Sequence, residues 1–90
     1  DEAQRRSAPR LYQTLQHIRE QLSSGRRDFA AVIEEARIIL TEAGFRPDYL
    51  DLRDANTLQP ATSQTQDMVA LAAAFLGTTR LIDNLRFSLA

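Results

Sequence analysis

Apolar residues recur at helical spacing through the first half of the chain and read as strand in the second. The change falls within one run, Gly44 to Thr57. Leu11, Leu15, Ile18 and Leu22 lie four, three and four apart, which places them on one face of a helix; Ala8 and Tyr12 are expected to widen that stripe. Ser7, Ala8 and Pro9 predict the start of this helix, because a serine at the N-cap accepts an unpaired backbone N–H and a first-turn proline lacks one. Ser23, Ser24 and Gly25 end it, with Gly25 as a left-handed cap. A second helix is expected from Asp28, whose carboxylate would cap the N-terminus and meet the helix dipole there. Its stripe is Phe29, Val32, Ile33, Ala36, Leu40 and Ala43, and Ile38 and Ile39 broaden it. That breadth calls for packing against both the first helix and a sheet.

Gly44 stops the second helix and Pro47 does not allow it to resume, so Tyr49 to Asp54 is predicted as a strand, the central one to which later strands pair. Ala55 to Asp67 is a polar connection of about a dozen residues, a length usual for a crossover or a mobile surface loop. Met68 to Leu76 reads two ways. Its alanines and the preceding Asp67 suit a capped helix; its unbroken apolar character and the following Gly77 and Thr78 suit a buried strand entering a hairpin, with Thr79 to Phe87 returning. The hairpin is the preferred reading. The expected class is α+β, one domain over residues 1–90, with a helical pair on a short antiparallel sheet.

Composition changes this picture mainly by exclusion. Ninety residues support a single core, and 43% apolar with 26% charged residues is the balance of a folded globular chain. A net charge of −1 gives no general pull toward nucleic acid or an anionic membrane. All 11 basic residues are arginine, so no lysine is present for Schiff-base or P-loop chemistry. Without cysteine there is no disulfide, thiol nucleophile or thiolate zinc site, in keeping with a reducing compartment. Met68 to Leu76, the longest apolar run, is about half the ~20 residues that span a bilayer. The polar opening, Asp1 to Arg6, has no signal-peptide pattern, and Asp1 in place of methionine is read as a processing site or the boundary of an excised piece.

Candidate chemistry is sparse. His17, the only histidine, has Glu20 at i+3 as its local carboxylate and is expected to be a solvated surface residue. Asp48 and Asp54 are expected on one strand face and Asp51 on the other, so that these three with Asp83 form no compact metal or acid–base cluster. Turn caps and arginine pairs are their expected roles. Arg5, Arg6, Arg10, Arg26 and Arg27 would suit a phosphate-facing rim. With no glycine-rich loop or interleaved aromatics beside them, they read first as solvated helix ends. Arg46, Arg53 and Arg80 flank sheet positions within reach of Asp51, Asp54 and Asp83. No residue is assigned as catalytic, cofactor-binding or metal-ligating.

Three runs in order, APRLYQTL at Ala8 to Leu15, AGFRPDYLDLRDANTLQP at Ala43 to Pro60 and LAAAFLGTTRLIDN at Leu71 to Asn84, together resemble the C-terminal domain of the pantoate–β-alanine ligase (pantothenate synthetase) family. The resemblance implies helices packed on a three-stranded antiparallel sheet, which favours the hairpin for Met68 to Phe87. It further implies an ATP- and Mg2+-dependent ligase that joins pantoate to AMP with release of pyrophosphate, then lets β-alanine attack the acyl-adenylate to give pantothenate and AMP. In that family the chemistry belongs to an N-terminal Rossmann-like domain with an HxGH-type motif and a Ser-Ser-Arg-Asn loop. Neither occurs in this chain, so no catalytic role carries over, and the chain alone is expected to be inactive and to bind ATP weakly if at all. The implied role is a lid, with Arg5, Arg6, Arg46 and Arg80 as candidates for its inner rim. Its partner is the catalytic domain of the same polypeptide, in a cytoplasmic parent that dimerises through that domain and binds neither nucleic acid nor membrane. The alternative is a freestanding interaction module that offers its helix pair or a sheet edge. A nucleic-acid binder built on the arginine clusters is the least favoured reading.

Overall fold

Among the described residues, three helices, α1 (Glu2–Ser7), α2 (Pro9–Ser23) and α3 (Phe29–Glu42), precede three strands, β1 (Arg46–Asp54), β2 (Asp67–Leu76) and β3 (Thr79–Ser88). The structure, a computed structural model, describes residues 2–89. The α+β class, the N-terminal position of the helices and the antiparallel three-stranded sheet all stand as expected.

Helix α1 was not foreseen. Ser7 closes it rather than opening α2, whose N-cap is Ala8 in helical geometry (φ −53°, ψ −42°) with no side-chain cap. Pro9 has no N–H to bond back into the preceding turn, so the two helices part there.

Both long helices end in the double hydrogen-bond pattern that satisfies their last carbonyls. After α2, Arg26 N–H donates to the Gln21 carbonyl (3.3 Å) and Gly25 to Leu22 (3.1 Å); after α3, Phe45 donates to Leu40 (3.0 Å) and Gly44 to Thr41 (3.1 Å). The pattern requires a left-handed residue between, and glycine supplies it at Gly25 (φ +111°) and Gly44 (φ +96°). Phe45, just past the second cap, is buried in the same core as Leu40, so the cap also fixes the angle at which β1 leaves the helix.

The α2 stripe is fully buried: Leu11, Leu15, Ile18 and Leu22 are at most 3% exposed. Burial of each contributes about 1.5–3 kcal/mol against the ordering entropy. Tyr12 does not widen the stripe, because it lies about 100° around the helix from Leu11 and faces water. On α3, Val32, Ala36 and Leu40 are buried, with Phe29, Ile33 and Ala43 packed beside them. Ile38 is exposed, pointing away from Ala36 and Leu40, and Ile39 is half-buried, so the expected broadening of this stripe fails at Ile38. As expected, α3 packs on both α2 and the sheet, through β1.

The strand order is β1-β2-β3, which corrects the placement of Tyr49 to Asp54 at the centre. The central strand is β2, whose apolar residues fill both faces, as a strand with neighbours on either side requires. Strand β1 is an edge, where Pro47 is tolerated because no ladder bond is asked of it. β1 and β2 are adjacent and antiparallel, so residues 55–66 form a long hairpin connection and not a crossover. Gly77 (φ +64°) takes the first place of the two-residue β2–β3 turn, a place that favours glycine.

One sheet face carries Met68, Ala70, Ala72, Ala74 and Leu76 against α2 and α3, with Leu52 beside them. Leu50, Leu81, Leu85 and Phe87 complete that layer. The opposite face has no helix on it among the described residues.

Candidate functional site

The bare face of the sheet takes its residues from alternate positions of all three strands. Arg46, Tyr49, Asp51 and Arg53 of β1 pair in register with Phe75, Ala73, Leu71 and Val69 of β2, and these in turn with Arg80, Ile82, Asn84 and Arg86 of β3. Paired residues of an antiparallel ladder share a face, so these form one surface, apolar along its middle and arginine-bearing at its ends.

At one end, Arg46 and Arg80 flank Phe75. The Arg46 guanidinium stands 4.4 Å from the Phe75 ring centroid, within the range of cation–π attraction. Arg80 lies 5.8 Å from the Tyr49 ring and pairs with Asp48 at 3.0 Å. That pair exists because of a register irregularity between Pro47 and Tyr49. The extra residue turns Asp48 toward the bare face, which overturns the expectation that Asp48 and Asp54 share a side. Among the described residues no carboxylate lies within salt-bridge distance of Arg46.

At the other end, Arg53 pairs with Asp51 (3.2 Å) and donates to the Leu58 carbonyl (2.9 Å). Asp54 accepts the N–H groups of Asn56 (2.8 Å) and Thr57 (3.1 Å), a turn-forming role as expected. The connection is pinned to the outer edge of β1 by Asp54 N–H to Gln59 (2.8 Å) and Ala61 N–H to Leu52 (3.1 Å). Leu58 has φ +63° and a side chain 57% exposed. With Tyr49, Asp51, Arg53 and Leu71 it lines an open groove of about 330 Å³. The Asp54–Thr57 turn was within reach of sequence reasoning, but nothing in the leucine itself marked a left-handed backbone.

The remaining candidates lie elsewhere. Arg5 and Arg6 are exposed on α1, which packs on α2. Arg10 is exposed, and its carbonyl accepts the Thr14 hydroxyl. Asp83 faces the helix layer, opposite Ala72, and accepts its neighbour's N–H. Arg26 is not a solvated helix end: it donates to Asp28, Glu35 and Gln21 and clasps the α2–α3 turn onto α3. This is why the Asp28 carboxylate, although at the N-cap of α3, makes no capping bond. Arg27 donates to the Leu22 and Arg26 carbonyls. His17 faces not Glu20 but Glu35 of α3, with Nε2 at 3.6 Å, and is half-buried rather than solvated. No group of three or more potential metal ligands occurs among the described residues, and no described helix is long and apolar enough to cross a membrane.

The Arg26 clasp carries a pH dependence. Hydrogen bonds from Arg26 hold the Asp28 and Glu35 carboxyls below their ordinary values. Groups whose pKa is lowered by folding stabilise fully above their unfolded values and lose that stabilisation as pH falls through the folded ones. Urea unfolding between pH 3 and 7 is expected to show stability level above about pH 5 and falling below about pH 4. Arg26→Ala should shrink that fall; an unchanged acid slope in the variant would show that the clasp does not cause it.

Geometry thus defines an α+β unit with helices on one sheet face and a mixed aromatic and arginine surface on the other. The family model described as pantoate-beta-alanine ligase matches residues 1–86, and the chain belongs to that family. It is 56% identical over 82 residues to a pantothenate synthetase of Pseudomonas putida, covering 91% of this chain and 29% of that protein. To one of Pseudomonas fluorescens it is 54% identical over 88 residues, covering 98% and 31%. A crystal structure of pantothenate synthetase from Thermus thermophilus superimposes with a TM-score of 0.78 at 32% identity, over 90% of this chain and 29% of that one. The chain therefore spans less than a third of the length of the relatives it matches. Of the two longer runs that carry the resemblance, Ala43 to Pro60 contains β1, and Leu71 to Asn84 contains the β2–β3 turn with the adjoining parts of both strands.

Proposed function

We propose that this chain is the C-terminal closing domain of a pantothenate synthetase. The parent enzyme activates pantoate with ATP and Mg2+, releasing pyrophosphate, and the amine of β-alanine then displaces AMP from the pantoyl-adenylate. An acyl-adenylate is lost if water reaches it, so a cover that excludes water protects the intermediate and brings donors to the phosphates. The observation that carries this reading is family membership of a chain covering less than a third of its relatives, with one sheet face left bare. The chemistry itself belongs to the part of the parent outside this chain, and the 90 residues alone form no pantothenate. The parent works in the cytoplasm as a homodimer.

Of the four rim candidates, Arg46 and Arg80 share the bare face at one end, whereas Arg5 and Arg6 sit on α1. The rim is therefore assigned to Arg46 and Arg80. In the full-length polypeptide, Arg46→Ala and Arg80→Ala should each lower kcat for pantothenate formation by about tenfold, the loss expected for one charge-assisted contact, with Tm unchanged. Unaltered kinetics in both would remove the rim assignment. A reading frame that starts directly before Asp1, with no Ser-Ser-Arg-Asn segment or HxGH motif upstream, would instead leave a freestanding interaction module.

A further inference from the structure

We infer that Asp48 is a positioning residue for the ligase reaction: it holds one edge of the Arg80 guanidinium and so aims the other at a phosphate of the nucleotide. The inference rests on the closing-domain reading with Arg80 at its rim, and adds the residue through which that arginine is oriented.

The register break in β1 makes the contact possible. In a regular strand neighbouring side chains point to opposite faces, so Asp48 and Tyr49 would lie on different sides of the sheet. Asp48 has no partner in the β1–β2 ladder, where Pro47 and Tyr49 stand opposite Ala74 and Ala73. The break in alternation turns both Asp48 and Tyr49 toward Arg80, which lies on β3 at the far side of the sheet. Nε and Nη2 of Arg80 donate to one oxygen of Asp48 at 3.1 and 3.0 Å, and the guanidinium stands 5.8 Å from the Tyr49 ring. Extra residues of this kind recur on edge strands and beside active sites, where they re-aim a side chain.

The donors left over show what the contact is for. A guanidinium is a rigid planar fork, so fixing its Nε–Nη2 edge also fixes the direction of the Nη1–Nη2 end. Nη1 of Arg80 has no acceptor among the described residues, and that end stays open for a bidentate anion. Arg53 is used differently: it pairs with Asp51 at 3.2 Å and gives Nη1 to the Leu58 carbonyl at 2.9 Å, which ties down the 55–66 connection. Stability is a poor reason for the Asp48–Arg80 pair, whose side chains are 43% and 41% exposed, because ion pairs so open to water contribute little. Arg46, on the same rim, rests on the Phe75 ring without a carboxylate. The rim thus carries one arginine with its charge unpaired and one with its direction fixed.

Kinetics of the full-length polypeptide test this. Asp48→Ala should lower kcat by about threefold, less than Arg80→Ala, since the arginine remains but is no longer held in place. Pantoate-dependent exchange of labelled pyrophosphate into ATP should fall by the same factor, with KM for β-alanine unchanged. In an Arg80→Ala background, Asp48→Ala should change nothing further, because its effect passes through the arginine. Asp48→Asn, whose amide oxygen still accepts, should restore most of the rate. Urea unfolding of Asp48→Ala should match the parent, and Glu34→Ala, which breaks an exposed pair on α3, should leave both rates unaltered. An equal loss from Asp48→Ala with and without Arg80 overturns the inference, as does full activity of Asp48→Ala beside an impaired Arg80→Ala. Faster exchange in Asp48→Ala would mean that Asp48 competes with the phosphate, and also overturns it. So does lost pantothenate formation with exchange intact, which would put Arg80 at the amine step. Wild-type rates in Arg80→Ala remove the rim assignment and this inference with it, whereas a full-length protein that makes no pantothenate fails the closing-domain reading beneath both.

Discussion

Leu15→Ala is expected to destabilise the fold by about 3–4 kcal/mol and to lower Tm by about 15–20 °C. Leu15 has no exposed surface and sits mid-way along α2, the helix that touches α3, β2 and β3. Truncation removes the transfer free energy of the lost carbons and leaves a cavity that α2 cannot close without losing its other contacts. The effect is large relative to the total, since a 90-residue domain has roughly 5–13 kcal/mol of stability. Ile38→Ala is the matched control: an exposed residue of the same class on the next helix should cost less than about 0.5 kcal/mol. Urea unfolding of the two variants checks the pair. Similar small losses in both would mean that α2 is not seated in the core as described.

The contrast between Leu15 and Ile38 also marks how far the sequence was legible. Period identified α2 and α3 and the buried residues along them, because a helix has one way to turn a stripe inward. It did not place every apolar side chain: Tyr12 lies at the margin of its stripe, and Ile38 lies on the side of α3 opposite Ala36 and Leu40. Helix α1 has no apolar stripe to announce it. The roles of Arg26 and His17 depend on Glu35, nine and eighteen residues further along the chain; no local pattern reports such a contact. Asp48 was misplaced because a single irregularity in β1 turns its side chain to the other face. The bare sheet face followed from no property of the individual strands, since it is created by where the helices pack. Resemblance reached the family from three short runs, and the family model then matched nearly the whole chain.

The run that was hardest to read, Met68 to Leu76, supplies the second large effect. Its alanines argued for helix by propensity, yet in β2 they do a different job. Ala70, Ala72 and Ala74 lie on the inner face with no exposed surface, beneath α2 and α3. Small side chains there let the helix layer come close to the sheet, so the layer has no room for three more carbons. Ala72→Leu is therefore expected to cost about 2–3 kcal/mol through displaced helices and off-rotamer neighbours. Ala73 is equally buried but faces the other way, between Tyr49 and Ile82, whose side chains are exposed and free to move aside. Ala73→Val should cost less than about 1 kcal/mol in this domain. Unfolding measurements on the two variants test the one-sided packing on which the Arg46 and Arg80 rim depends. Equal costs at Ala72 and Ala73 would mean that both sheet faces are covered, and the bare face would be lost as the place of that rim.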